Sequence, residues 1–413
     1  MERIKIGVFG AGRGASIAKN FMMLNCDIVA LCDNRPDRLQ SGAKKLGDDI
    51  ALYDDFDKFI EHGMDAVIIA NYFHEHAPYA IRCFERGLHV FCECISNGTM
   101  AEGVALIRAF EKSKVVYFLA ENYPQMISNR EAKRICDGGS LGKIIYAEGE
   151  YNHPGNPADS DTRKRINYTR EHWRNYLPRT YYITHSLGPV MWVTGATPKR
   201  VTAFAAFAPA EGPSARYCGD RVAQILTKND DGSIFRVTGS AAYGGRHNSY
   251  RFCGSKGQIE SVRGMGNKVM LRYNDWHRPD DMPTNDSLYE PIWNDKDESL
   301  IQKSGHGGSD FLTARSFLDC IKEGKQPEHP FDIYSAVNMS SVALLAHRSM
   351  LEDGMPYDIP DFHLESERQK YENDRLSPFY GSDGSEPTLP CCSHTDYKPT
   401  ESQLKAYDES LKS

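Results

Sequence analysis

The sequence predicts an α/β chain in two parts. A doubly wound domain on a parallel sheet comes first. A second, α+β domain on an open, mostly antiparallel sheet follows. Three observations carry this. The apolar run Ile4 to Phe9 ends in Gly10-Ala11-Gly12-Arg13-Gly14-Ala15, and a helix-like stretch over 16–24 comes next. Apolar strands then alternate with helical patterns through about residue 122, including the unbroken apolar run 66–70, which suits a strand buried on both faces. Beyond residue 140 the pattern changes to alternating apolar and polar residues at 144–151, 200–207, 222–226, 233–239 and 268–273.

Strand, tight glycine turn and helix in that order make the dinucleotide fingerprint of an N-terminal Rossmann domain. Gly10 makes the turn, Gly12 lets the backbone approach a pyrophosphate, and Ala15 is the small residue needed where helix packs on strand. The turn as a whole, with Arg13 and Gly14, is assigned to the cofactor, whose phosphates would meet the unpaired N–H groups of the helix start. A second strand, 28–32, ends in Asp33, an acid placed to accept the ribose hydroxyls of NAD. Arg35 nearby offers a guanidinium that could instead receive a 2′-phosphate. Strand 66–70 ends at Asn71 and, five residues on, His76. Ligands collect at such carboxyl ends, so both are candidate cofactor contacts; a helix cap and a surface histidine are the plainer alternative. A helix from 76 to 86 stops at Gly87. Strand 89–92 leads to Glu93-Cys94-Ile95, and strand 115–120 leads to Glu121 and Asn122. Glu93 and Asn122 are therefore expected near the nicotinamide end.

The 413 residues divide into 1–122, 123–355 and a polar C-terminal extension, 356–413, that could wrap over the body or a partner subunit, or be loosely ordered. The formal charge of -7 and pI of about 6.1 give no reason to expect nucleic acid or an acidic membrane as partner. No apolar stretch is long enough to span a bilayer, and no export segment precedes the first strand, so the expected location is the cytoplasm. The 11 cysteines are dispersed, without zinc spacing, and no catalytic metal is expected. An exposed sheet face and a long tail are compatible with a homo-oligomer.

Three stretches of the second part and its continuation concentrate chemistry. They are 149–153 (Gly-Glu-Tyr-Asn-His), 171–190 and 304–311. Trp173 supplies a flat surface for a sugar face. Arg174, Asn175 and Asp310 could bond its hydroxyls. Tyr182 and His185 are three apart, so a helix beginning near Thr184 brings both to one cleft entrance. His185 suits acid–base work. Tyr182 suits it if a cation or the cofactor lowers its pKa. His306, between glycines, faces substrate or simply sits in a packed turn, while Asp310 caps a helix over 311–323.

The glycine turn, the order of elements and these stretches resemble the Gfo/Idh/MocA oxidoreductase family over roughly residues 1–350. Dehydrogenases of that family carry Glu-Lys-Pro where this chain has Glu93-Cys94-Ile95. The Tyr182-Ile183-Thr184-His185-Ser186-Leu187-Gly188-Pro189-Val190 and Gly305-His306-Gly307-Gly308-Ser309-Asp310-Phe311 stretches are similar to the NAD-dependent glycosidase branch, glycoside hydrolase family 109. The resemblance implies a tightly held, recycled NAD and a glycoside substrate. In the implied cycle C3 is oxidised, the C1 leaving group is eliminated across C1–C2, water adds, and C3 is re-reduced. Tyr182 or His185 would be the base, His185 or His306 the acid, with Tyr151 beside them. A sugar or sugar-acid dehydrogenase is the nearest rival, and a sugar-sensing or scaffold protein the rival from another class.

Overall fold

The computed structural model describes residues 3–47, 49–156 and 168–412. Contacts divide the chain into two compact units: Met1–Arg130 with Ile292–Val337 and Asp361–Asp374, and Glu131–Pro291 with Asn338–Pro360 and Arg375–Ser413.

The first unit holds a six-stranded parallel sheet. Its strands are β1 (Lys5–Phe9), β2 (Asp27–Cys32), β3 (Ala51–Tyr53), β4 (Ala66–Ile69), β5 (His89–Cys92) and β6 (Tyr117–Leu119), in the order β3-β2-β1-β4-β5-β6. This is the doubly wound Rossmann arrangement, with its switch point between β1 and β4, where ligands of such sheets bind. β4 is buried at every position, as an apolar run with helices on both faces must be. The stretch 53–62 reads as one helix; in the structure Tyr53 ends β3 and the helix is only Phe56–Phe59, whose N-cap Asp55 accepts from the Asp57 and Lys58 N–H groups. A polar cap inside the stretch ended the strand and restarted the chain as helix.

The unit is not made of residues 1–122 alone. Phe317 and Phe331 complete its aromatic core: Phe317 lies 5.3 Å from Phe91, and Phe331 stacks on Phe118 at 5.0 Å. The Leu119 N–H donates to the Phe331 carbonyl at 2.9 Å. Residues of the extension also belong here, because the Arg368 side chain, 4% exposed, pairs with Glu111 and donates to the Phe362 carbonyl.

The second unit is built on a nine-stranded sheet, β14-β13-β12-β11-β7-β10-β9-β8-β15. β7 is Ile144–Asn152, β8 Pro198–Phe207, β9 Asp220–Asn229 and β10 Ile234–Ala241. β11 is His247–Gly254, β12 Gly257–Ser261, β13 Val269–Tyr273, β14 Asp286–Tyr289 and β15 Tyr357–Asp358. Only β7 and β10 pair in parallel; every other pair is antiparallel. The end of the extension is ordered in this unit. Helix Glu401–Lys412 buries Tyr407, and Arg170 forms a two-pronged pair with Asp408. Among the described residues no helix is long and apolar enough to cross a membrane.

Candidate functional site

Each unit carries a cluster of the residues singled out from the sequence. In the first, Gly10 has φ 100° and its N–H donates to the Cys32 carbonyl at 2.8 Å. A Cβ there would run into the Ala70 carbonyl, so the turn demands glycine. Gly12 leads into helix Arg13–Met23, with Gly14 and Ala15 buried against the sheet. Asp33 faces this turn: its carboxylate accepts from the Ala11 N–H at 2.8 Å and the Arg35 N–H at 3.0 Å. The Arg35 guanidinium is committed to Asp37 at 2.6 Å. Arg38, which the sequence reading missed, lines the same turn, since a Cβ on Gly12 would lie 2.7 Å from its Nη1. Its signal was its place in the first turn of the helix after β2.

Beyond β4, both amide atoms of Asn71 are buried with no hydrogen-bond partner among the described residues. Buried amides are nearly always satisfied, so this one is poised for a ligand. With the cradle at Gly10, it shows that the residues present fit a dinucleotide. His76 was expected to touch the cofactor, but its Nδ1 is 2.7 Å from the Ile95 carbonyl. Nδ1 therefore carries the proton and fixes the loop after β5. Burial lowers the His76 pKa, outweighing the Ile95 hydrogen bond.

A charged network occupies the carboxyl ends of β1, β5 and β6. Arg13 Nε donates to Glu93 Oε1 at 2.8 Å. Its Nη1 and Nη2 donate to the two Asp310 oxygens at 3.0 and 2.8 Å. Asn122 donates to Asp310 Oδ1 at 2.7 Å, and His306 Nδ1 lies 3.0 Å from Oδ2. Burial alone would raise the Asp310 pKa, but the bonds from His306 and Arg13 and the Arg13 charge hold it well below the carboxylate range. Asp310, expected on substrate and as the cap of a helix over 311–323, instead lies inside the first turn of helix Ser309–Glu323, whose N-cap is Gly308, and its carboxylate is spent on Arg13, Asn122 and His306. At position 94 the thiol donates to Glu121 Oε2 at 3.3 Å, and the other Glu121 oxygen accepts from the Tyr123 N–H. Glu121 is fully buried, and the sequence reading missed this pairing. Among the described residues no group of His, Cys, Asp or Glu is placed to hold a metal ion.

The second unit brings Tyr151, Tyr182 and His185 together. The Tyr151 and Tyr182 rings stack at 5.6 Å, and His185 meets them edge-on at 4.9 and 5.2 Å. Tyr151 stands at the end of β7, and His185 in the first turn of helix Thr184–Thr194. The helix start is held on the sheet from three sides. Ser186 Oγ donates to the Thr238 carbonyl, and Tyr250 OH donates to the His185 carbonyl at 2.5 Å. Gly149 gives the helix room, for a Cβ there would meet the Ser186 carbonyl. Trp173 is largely buried, with the Arg174 guanidinium 4.4 Å from its ring centre. Asn175, expected on substrate, is also buried: its Nδ2 serves the Thr169 and Arg170 carbonyls and the Tyr407 hydroxyl. That turn is a structural tie, reached from a segment more than two hundred residues away.

Comparison with known proteins agrees with this geometry. Residues 4–121 match the oxidoreductase family with an NAD-binding Rossmann fold, 129–260 the GFO/IDH/MocA C-terminal domain, and 246–368 the glycosyl hydrolase 109 C-terminal domain. A glycosyl hydrolase family 109 protein of Solibacter usitatus is 26% identical over 87% of this chain and 88% of its own. One from Stenotrophomonas maltophilia is 23% identical over 93% of each. Among solved structures, levoglucosan dehydrogenase in complex with NADH and levoglucosan superposes with a TM-score of 0.72 at 17% identity, covering 87% of this chain and all of that one. An NAD binding oxidoreductase from Klebsiella pneumoniae also gives a TM-score of 0.72 at 17% identity, over 87% and 99%. The chain belongs to the Gfo/Idh/MocA oxidoreductase family, and its N-terminal unit is that family's NAD-binding Rossmann fold.

Proposed function

We propose that this protein is an NAD(H)-dependent oxidoreductase of a sugar, sugar acid or related glycoside. The observation that carries the reading is the cradle at Gly10 with the unsatisfied Asn71 amide beside it, in a chain whose relatives are named for carbohydrate chemistry. The turn from Gly10 to Ala15, with Asp33 behind it and Asn71 at the switch point, would hold the dinucleotide. When bound, NAD(H) supplies a hydride acceptor and donor. Tyr151 and Tyr182 offer aromatic surface for a sugar ring, and Tyr182 and His185 are the acid–base candidates of their unit.

Two net reactions fit. The solved relatives described above are a dehydrogenase and an oxidoreductase, which favours net dehydrogenation. The second reading is glycoside cleavage with the hydride returned. Cys94 favours it, because a thiol bonded to Glu121 cannot act as the lysine of the family's dehydrogenases does. The sequence relatives named glycosyl hydrolase family 109 point the same way. The test is to incubate the protein with a panel of aldoses, polyols, sugar acids and nitrophenyl glycosides, following nicotinamide absorbance and released sugar together. Reduced nicotinamide in step with product supports the first reading. Sugar release without its accumulation supports the second. An intact, nucleotide-saturated protein that does neither across the panel would sink the proposal.

A further inference from the structure

The Asp310 carboxylate takes four hydrogen bonds. Arg13 and Asn122 share Oδ1 at 2.8 and 2.7 Å, while Arg13 and His306 share Oδ2 at 3.0 Å each. Its side chain is 6% exposed, whereas that of His306 is 42% exposed. An ionised carboxylate only accepts, so His306 Nδ1 must be the donor. In the neutral form of the ring, Nε2 then carries the lone pair. The backbone that presents the ring is in the left-handed region: His306 has φ 53°. A non-glycine residue held there costs roughly 1 kcal/mol or more and, where the surroundings enforce it, commonly serves a site. The surroundings do enforce it, through the Ser309 Oγ bond to the His306 carbonyl at 3.0 Å and the His306–Asp310 pair.

We infer that His306 is a proton-transfer group and Asp310 its positioning residue, a His–Asp dyad anchored through Arg13 to the dinucleotide turn. The inference rests on the oxidoreductase reading for its substrate, a hydroxyl of a sugar or sugar derivative. The step is a proton transfer alone. The hydroxyl O–H bond breaks, an Nε2–H bond forms, the electron pair stays on oxygen, and Nδ1–H remains on Asp310. Arg13 cannot take this part, because a guanidinium does not give up its proton in a protein. Its two bonds to Asp310 and one to Glu93 instead fix the carboxylate at the point where helix Arg13–Met23 begins.

D310N separates positioning from packing, being nearly isosteric. Two donors that cannot change role, Arg13 Nη2 and Asn122, point at the Oδ1 position, against one, Arg13 Nη1, at Oδ2, where His306 can switch from donor to acceptor; the amide oxygen therefore settles at Oδ1 and the NH2 group takes the Oδ2 position, giving up the Arg13 Nη1 bond. That NH2 donates to Nδ1 and forces the opposite tautomer. Nitrogen-15 NMR of histidine-labelled protein, without substrate, reads this directly once H306Q identifies the signal. The expected result is an Nδ1–H tautomer in the wild type and an Nε2–H tautomer in D310N, with both variants still saturable by NADH in fluorescence titration. Turnover should fall at least about 100-fold in D310N and in H306Q, and the double variant should be no worse than the singles. An unchanged tautomer in D310N, or H306Q turning over within about threefold of wild type, overturns the inference. If the wild type turns over nothing, the oxidoreductase reading fails while the tautomer still decides whether the dyad exists.

Discussion

Gly149→Ala tests whether the Tyr151–Tyr182–His185 cluster depends on the close approach of one helix to one strand. A Cβ at Gly149 would have the Ser186 carbonyl carbon at 2.9 Å and the Ser186 Cα at 3.3 Å, with the carbonyl oxygen nearer still. All three are backbone atoms, so no rotamer relieves the overlap. Either the start of helix Thr184–Thr194 recedes or β7 bulges, and His185 sits in that first turn. Overpacking of this kind costs about 1–3 kcal/mol. At roughly 2–4 °C per kcal/mol for a unit of this size, the upper end lowers Tm by about 6–12 °C. A shift of the helix start by about 1 Å should cost about 100-fold in kcat on whichever substrate the panel identifies. Differential scanning calorimetry and steady-state kinetics on G149A give both numbers. G245A is the control, because its Cβ meets nothing and its backbone is not in the positive-φ region. It should stay within about 0.5 kcal/mol of wild type. A G149A protein that melts with the wild type and keeps its turnover would refute the reasoning.

Gly10→Ala should weaken NADH binding at least about tenfold in a fluorescence titration, since the new Cβ meets the Ala70 carbonyl and φ 100° disfavours any side chain. His347 is fully buried, and its Nε2 donates to the Pro390 carbonyl at 2.7 Å. Burial lowers its pKa to about 4. Because that lies below the unfolded value near 6.5, stability is complete above pH 6.5 and is lost as pH falls toward 4, by up to about 3 kcal/mol. H347Q keeps a donor and removes the titration, so urea melts from pH 7 to 4.5 should show a shallower acid decline than wild type. Parallel declines would count against it. Tyr407→Phe removes a hydroxyl that donates to the Thr169 carbonyl at 3.1 Å and accepts from Asn175 at 3.0 Å. It should cost about 1–3 kcal/mol and change the fluorescence of Trp173, and an unchanged melt would show that the extension does not hold that turn.

Local signals made much of the fold legible. The glycine turn, the buried strand at β4 and the tyrosine–histidine spacing each depend on neighbours within a few residues, and each stands where expected. What escaped reading is non-local. Nothing near Phe317 or Phe331 announces that they complete the core of a unit begun three hundred residues earlier. Asn175 looked like a sugar contact because it follows Trp173 and Arg174, yet its amide serves Tyr407. Strand β11, His247–Gly254, was missed because Tyr250 and Phe252 are its only large apolar residues and its pairing with β7 joins distant segments. Asp310 was read as a cap or a substrate ligand, and its partners Arg13 and Asn122 lie 297 and 188 residues away.

The same distances decide how proton handling can be arranged in the first unit. At the end of β5 the chain has a thiol where the family's dehydrogenases have an ammonium, and that thiol is closed off by a buried carboxylate. A positive charge does stand nearby, on Arg13, but burial is outweighed there by Glu93 and Asp310, which raise its pKa further. Arg13 can therefore position carboxylates and cannot exchange a proton. His76 is buried, its pKa lowered by that burial, and bonded to Ile95. Among the described groups joined to the Arg13 network, His306 combines an imidazole with a substantially exposed side chain. In the proposed dyad a fixed arginine would carry the charge and an imidazole the proton, so that substitutions at Arg13 should disturb nucleotide affinity and dyad geometry together, while H306Q should disturb turnover alone.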